Sequence, residues 1–472
     1  MSGDPRAIVR AEREHGLFDV RVLGVSLWRL IRVPVVESVL IREQSRDRFN
    51  QNRVAVDRVP HILASVARSL WHLTRLRRRR YLVLGFPRRR FEDGVWVDPF
   101  SDPLIESLEP DRVLCIEKPF VGEHRRPPRT SNLVYVDWLM AKSMLLSAIA
   151  FPVPLVLCRR RIGELARRIE HATGTPARTT RRLAAQAIVQ FWVERVAARA
   201  LLAAVQPRAV LLTIRRQHYA VIQACRLRGI PVFELQHGAI GEGGYKYTTP
   251  FDAAMDPDAF LSFGRFWNDL EWGLPDRRVH AIGFKYIVDR KARLGSRLGR
   301  GRKVMLVSQP HVSRRLGRQF GAIVDAHPGE QFILKLHPQD VAQWADRYPL
   351  AERPNVAVHG EGPPDLYDLF ADCSSVIGYD STVLFEASFF GLKVGVLNLD
   401  GTNPCAALGF KGRYNFREIR NLRQVTDLLR GAPDEPEPDN PFFAAFDEAR
   451  FLHLLDSSAR VSASAASDGD GC

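Results

Sequence analysis

Residues 374–398, SSVIGYDSTVLFEASFFGLKVGVLN, constrain the fold of this chain more tightly than any other stretch. Val376 to Gly378 is an apolar run long enough for a buried strand, and Asp380, Ser381 and Thr382 after it are residues that cap a helix N-terminus. Val383, Leu384, Phe385, Ala387 and Phe390 then recur at helical spacing, Gly391 stops the helix, and Lys393 to Leu397 reads as a second strand. A strand, a helix and a strand in succession specify a parallel pair joined by a crossover. Hydroxyls and free backbone N–H groups at the helix start also make a place for an anion, because the helix dipole and the unpaired donors both favour phosphate. Glu386, about one turn further on, stands where a carboxylate takes ribose hydroxyls in other nucleotide folds. An ordinary cap on a core helix, with Glu386 merely solvated, accounts for the same residues.

Two upstream strands end in comparable chemistry. Residues 331–336 (QFILKL) lead into Lys335-Leu336-His337-Pro338, and ligands of open parallel sheets sit beyond the carboxyl ends of the strands. His337 therefore falls on the same edge as Ser381 and Thr382. Pro338 biases His337 toward an extended conformation, which aims the imidazole at the crevice. Residues 230–235 (IPVFEL) form another strand, ending in Gln236-His237-Gly238, with Gly241, Gly243 and Gly244 close behind.

QHG at 236–238, KLHP at 335–338 and YDSTVLFEA at 379–387, in this order and each at a strand end, resemble bacterial surface-polysaccharide transferases of the GT-B type. The nearest relatives in motif are capsular polysialyltransferases, Kdo transferases and the glycerophosphotransferases of teichoic acid synthesis. The resemblance covers residues 205–400 and implies an α/β fold, with two Rossmann-like domains facing a cleft. It also implies that Lys335, His337, Pro338, Asp380, Ser381, Thr382 and Glu386 bind the donor, with Gln236, His237 and Gly238 on the acceptor side. His237 and His337 are then the catalytic pair: His337 donates to a phosphate oxygen, and His237, with a near-neutral pKa, takes the acceptor hydroxyl proton. A structural QHG turn and a strand-capping histidine are the plainer readings of these two residues. The scheme uses no metal and no other cofactor. The Asp/Glu-Asp/Glu-Gly motif that supplies the base in polysialyltransferases is not recognised before His237, and Glu242-Gly243 is its closest approach.

At 472 residues the chain is long enough for two or three domains. Residues 1–74 read as amphipathic helices with a basic face, either a solvated cap on the first domain or a membrane-surface element. Residues 75–284 alternate strands and helices as a first Rossmann-like, acceptor-side domain, and residues 285–302 are a Gly- and Arg-rich linker by composition. Residues 303–430 form the nucleotide-binding domain, 431–456 a closing helix, and 457–472 a disordered tail. Asp256-Pro257-Asp258 reads as a turn. Met144 to Cys158 is the most apolar window but shorter than the ~20 residues a membrane span requires. It reads as a buried helix or strand, with interfacial insertion as the alternative.

The 68 Lys and Arg against 53 Asp and Glu give a net charge of +15, which calls for anionic partners. Eight arginines between residues 75 and 90 have too few interleaved aromatics for a nucleic-acid platform, so anionic lipid or glycan fits them better. Six cysteines without paired spacing argue for a reducing compartment and against a zinc site. The N-terminus has no apolar signal core, so the expected place is the cytoplasm, peripheral to the inner face of the cytoplasmic membrane. The expected activity is a glycosyltransferase moving a sugar from a nucleotide donor, CMP-linked by preference, to a surface polysaccharide or lipid-linked glycan. A CDP-alditol polyol-phosphate transferase, a sugar-nucleotide epimerase and a non-catalytic basic scaffold remain the alternatives.

Overall fold

A computed structural model describes residues 5–44, 59–120, 123–239, 247–270, 272–350, 352–399, 401, 403, 415–431 and 440–467. The glycines expected after His237, Gly241, Gly243 and Gly244, lie outside these residues, as does Glu242. Two short strands, β1 (Arg21–Val22) and β2 (Val25–Ser26), pair antiparallel ahead of a helix at Leu27–Gln44. The chain then builds β3 (Tyr81–Leu84), a hairpin of β4 (Arg90–Glu92) and β5 (Val95–Val97), β6 (Val113–Glu117) and β7 (Leu133–Tyr135). After a helical block come β8 (Ala209–Thr213), β9 (Val232–Leu235), β10 (Ala259–Ser262) and β11 (Val279–Ala281). Seven of these strands form one parallel sheet in the order β11-β10-β9-β8-β3-β6-β7. Runs such as AVLLT in β8 are buried throughout, as strands covered on both faces must be.

A second parallel sheet follows, made of β12 (Lys303–Val307), β13 (Phe332–Lys335), β14 (Val356–His359), β15 (Cys373–Gly378), β16 (Lys393–Leu397) and β17 (Phe416–Ile419). Its order is β14-β13-β12-β15-β16-β17. Strand order reverses between β12 and β15, which opens a crevice at their carboxyl ends. Two parallel sheets with helices, facing one another, make this the GT-B arrangement. The three-residue strands β7 and β11 and the hairpin are too short to leave a period in the sequence.

Several elements depart from the sequence expectations. The residues given to a linker, 285–302, begin with a helix at Lys285–Leu294 that buries Tyr286, Ile287 and Leu294, so apolar spacing outweighs the Gly and Arg content. Arg29 and Arg32 of the Leu27–Gln44 helix are not exposed. Arg29 pairs with Asp256 at 2.9 Å and Arg32 with Glu12, all of them buried, while Trp28, Ile31 and Val35 pack with Ile162, Leu165, Ile169 and Ile188. Asp256 is accordingly an ion-pair centre and more than a turn, and Asp258 pairs with Arg226. The closing helix runs Glu448–Ser467, past residue 456 and into the supposed tail, where Ala459, Ala463, Ala465 and Ala466 favour helix.

Residues 440–455 return to the first sheet. Ala444 exchanges backbone hydrogen bonds with Phe263 and Phe284, Asp447 N donates to Ile282, and Phe451 and Leu455 join the core of Tyr81, Leu211 and Phe233. Gly283, at φ 87°, allows this crossing, since a Cβ there would meet the Ala445 carbonyl.

Candidate functional site

The second-sheet wall of the crevice starts at β12. Ser308, the residue after that strand, accepts a hydrogen bond from His337 N at 2.7 Å and donates to Asp340 at 2.8 Å. Buried Asp340 is paired with Arg347 at 2.7 Å, so the KLHP turn is clamped from beneath. His337 Nδ1 lies 3.1 Å from Gln339 N, a contact in which it accepts. Nε2 in turn lies 3.2 Å from Nη1 of Arg88, a residue of the first domain. A guanidinium only donates, so this contact uses an unprotonated Nε2 and the Gln339 contact an unprotonated Nδ1, and a neutral ring keeps one of the two. Where it keeps the Gln339 contact, Nε2 carries the proton, and an anionic oxygen seated beside it and Arg88 satisfies both.

Arg88 was not singled out by any motif. Three successive arginines diverge at the start of the β4 hairpin. Arg89 turns inward to Glu117 and Asp102, Arg90 bonds the Tyr367 hydroxyl and lies 3.5 Å from Glu386, and Arg88 faces His337. The expected lipid- or glycan-facing role of these arginines is thus replaced by internal contacts. Burial and the Arg90 charge push the Arg88 guanidinium down to about 10, against the opposing pull of Glu361. No carboxylate pairs with Arg88 within 4.0 Å among the described residues. A cation in that position favours an anionic ligand.

The helix start is built as its residue types dictate. Ser381 is the N-cap of the Thr382–Phe389 helix, its hydroxyl accepting from Val383 N at 3.3 Å. Thr382 Oγ1 accepts from Ala239 N at 2.9 Å, and a Cβ on Gly238 would come 3.2 Å from it. The QHG and DST loops therefore touch. Asp380 lies 3.4 Å from His311. Glu386 is buried against Arg90 and is not solvated. Asp380 Oδ1 and Glu386 Oε2 are buried without a hydrogen-bond partner among the described residues. Lys335 is turned to the Gly360 carbonyl, and burial followed by the Arg90 charge lowers its pKa. Pro338, half-buried, follows His337 at the rim.

On the first-domain wall, His237 Nδ1 lies 3.1 Å from the Tyr247 hydroxyl, with the rings of Phe86 and Phe100 alongside. Burial holds the Tyr247 phenol well above its ordinary value, so it stays protonated. For Nε2 to accept a proton, Nδ1 must carry one and donate it to the Tyr247 oxygen. Gln236 is used within the loop: its amide donates to Gly238 O at 3.0 Å and accepts from Phe263 N at 2.9 Å. Glu234 of β9 sits three residues before His237, paired with Arg215, which also reaches Asp256. That buried chain of charges anchors the strand that carries the histidine.

An acidic pair before a glycine does stand upstream of His237, contrary to the expectation, at Glu92-Asp93-Gly94. It forms the turn between β4 and β5, with Asp93 at φ 47° and Gly94 at φ 83°. Glu92 accepts from the Tyr286 hydroxyl and lies 3.8 Å from Arg290, whereas Asp93 is exposed. The DG dipeptide flanked by short apolar runs is its sequence signal.

No group of three or more His, Cys, Asp and Glu that could hold a metal ion occurs among the described residues. No protein-family description matches this chain, and no curated protein does. Solved structures do resemble it. UDP-GlcNAc 2-epimerase from Methanocaldococcus jannaschii matches with a TM-score of 0.48 and 11% identity, over 80% of this chain and 99% of that one. The Neisseria meningitidis UDP-GlcNAc 2-epimerase bound to UDP-GlcNAc gives 0.46 and 13%, over 80% and 99%. A variant of the wall teichoic acid polymerase TagF gives 0.42 and 10%, over 89% and 99%.

Proposed function

We propose that the cleft transfers a sugar from a nucleotide donor, CMP-linked by preference, to a surface polysaccharide or lipid-linked glycan. The observation that carries this reading is the contact of the Arg88 guanidinium, which has no carboxylate partner among the described residues, with His337 on the sheet edge that also holds the Ser381-capped helix start. The acceptor hydroxyl oxygen bonds to the anomeric carbon of the donor as the bond from that carbon to the phosphate oxygen breaks. The departing electron pair stays on phosphate, where Arg88, His337 Nε2–H and the helix N-terminus stabilise it. His237 Nε2 takes the hydroxyl proton. Glu386 Oε2, buried without a hydrogen-bond partner among the described residues, takes a ribose hydroxyl that displaces Arg90. Attack at phosphorus in a CDP-alditol uses the same groups, and donor identity separates the two chemistries.

A thermal-shift panel of CMP, CDP, UDP, GDP and their sugar conjugates tests the donor site, because a ligand bound only by the folded chain adds about 2.7 kcal/mol at a hundred times its Kd. A cytidine nucleotide is expected to raise the Tm by several degrees. Arg88→Ala and His337→Ala each remove a hydrogen bond to a charged group, worth about 1.5–3 kcal/mol, so they weaken binding roughly 10- to 150-fold. Preference for uridine or guanosine discards the cytidine assignment, and conversion of a UDP-sugar without an acceptor establishes the epimerase. If neither variant changes binding, the site assignment fails, and no response to any nucleotide leaves the scaffold.

Since fixed donors supply the positive charge, transfer is expected to persist in EDTA. A strict Mg²⁺ requirement contradicts the scheme.

A further inference from the structure

The most apolar stretch of the chain is not in its interior. Residues 144–157 form the end of a helix at Asp137–Ala150 and a second helix at Pro152–Leu157. Ser143 and Pro154 are buried, and Phe151 and Leu155 pack into the helical block with Ile162 and Ala184. Outward, Met144, Leu145, Ile149, Val153, Val156 and Leu157 are each between 53% and 78% exposed. A water-facing helix surface is ordinarily polar, and an apolar patch on this scale marks an interaction site. No helix among the described residues is long and apolar enough to cross a membrane.

Arg159, Arg160 and Arg161 follow at once, all exposed, and exposed Arg182 lies against the Phe151 ring at 5.8 Å. Of these four, only Arg161 has a carboxylate partner among the described residues, half-buried Glu164 at 3.3 Å, which Arg168 shares. The combination of an apolar face and a rim of cations fits a surface that is apolar below a layer of negative charge. A second copy fits less well, since a two-fold contact repeats the same patch on both sides and brings the two arginine clusters to one interface.

We propose that this helix pair is a membrane-docking face that lies in the headgroup layer of an anionic bilayer, with Ile149, Val156 and Leu157 inserted and Arg159–Arg161 on lipid phosphates. The docking element then lies within the first domain, between β7 and β8. Arg29 and Arg32 of the Leu27–Gln44 helix take no part in such a face, because both are buried in ion pairs.

Co-sedimentation of the full chain with vesicles tests this without reference to catalysis. Vesicles of phosphatidylglycerol in phosphatidylcholine are expected to bind the protein at least tenfold more strongly than phosphatidylcholine alone, with added salt weakening the binding. Ile149→Asp with Leu157→Asp is expected to lower the partition coefficient tenfold or more while leaving the Tm unchanged, because both side chains face outward. The triple change Arg159→Gln, Arg160→Gln, Arg161→Gln leaves every packed position intact and is expected to abolish the preference for phosphatidylglycerol. The proposal is overturned if the wild-type chain stays in the supernatant with anionic vesicles, or if both variants bind as the wild type does. It is also overturned by a concentration-dependent dimer that the Asp variant dissolves in the absence of vesicle binding, which makes the face a contact between copies.

Discussion

Replacing His237 with alanine is expected to lower kcat by roughly 10²- to 10⁴-fold, the usual range for a general base, with the donor KM nearly unchanged. The split follows from placement. His237 sits on the first-domain wall beside Tyr247, whereas the groups assigned to donor phosphate, apart from Arg88, stand on the second. Tyr247→Phe provides the sharper comparison. It keeps the ring that packs on Phe260 and Trp272 and removes only the hydroxyl that orients His237 Nδ1. A loss of kcat with an altered pH profile is the expected result, since Nδ1 loses the hydroxyl that accepts its proton while Nε2 acts as base. Steady-state transfer assays across pH decide the matter. A kcat for His237→Ala within twofold of wild type removes the histidine from the chemistry and leaves it as a loop element.

The second large effect concerns stability. Asp256→Ala is expected to destabilise the fold by about 3–5 kcal/mol, the range for breaking a buried pair and leaving its partner charged. Arg29 reaches Asp256 at 2.9 Å and Arg215 at 3.2 Å, and all three side chains are almost wholly buried. Glu234 still compensates Arg215 in the variant, so Arg29 is the charge left most exposed to the loss. Urea denaturation measures the effect. A change below about 1 kcal/mol, ordinary for a surface turn, contradicts the ion-pair reading. Because Arg215 N also donates to Glu234 at 2.8 Å, three residues before His237, partial loss of activity in the folded variant is expected to accompany the destabilisation.

The alternation of strands and helices, and the placement of QHG, KLHP and DST at strand ends, were legible because each rests on local rules. Apolar runs of strand length, glycine stops and a serine cap act over a few residues, and parallel topology then forces KLHP and DST to one edge of the second sheet and QHG to the carboxyl edge of the first. The Ser381 cap is formed as its residue type dictates, and contacts of Ala239 with Thr382 and of Arg88 with His337 join loops of the two sheets. Glu92-Asp93-Gly94 was equally local and was overlooked, as the turn of a hairpin with three-residue strands.

What the sequence by itself determined is therefore the parallel α/β plan and the strand ends on which its polar motifs lie. Only the tertiary structure decided which distant groups complete them. Arg88 meets His337 across 249 positions and Ala239 meets Thr382 across 143, and no periodicity connects residues so far apart. The same holds for exposure. The apolarity of residues 144–157 is a local property, but whether they are covered depends on how much of the remaining chain reaches them, and here it covers one side alone. Burial of Arg29, Arg32 and Glu386 reverses the expectation for charged residues for a corresponding reason, since a partner supplied from elsewhere in the fold is what permits a charge to leave water.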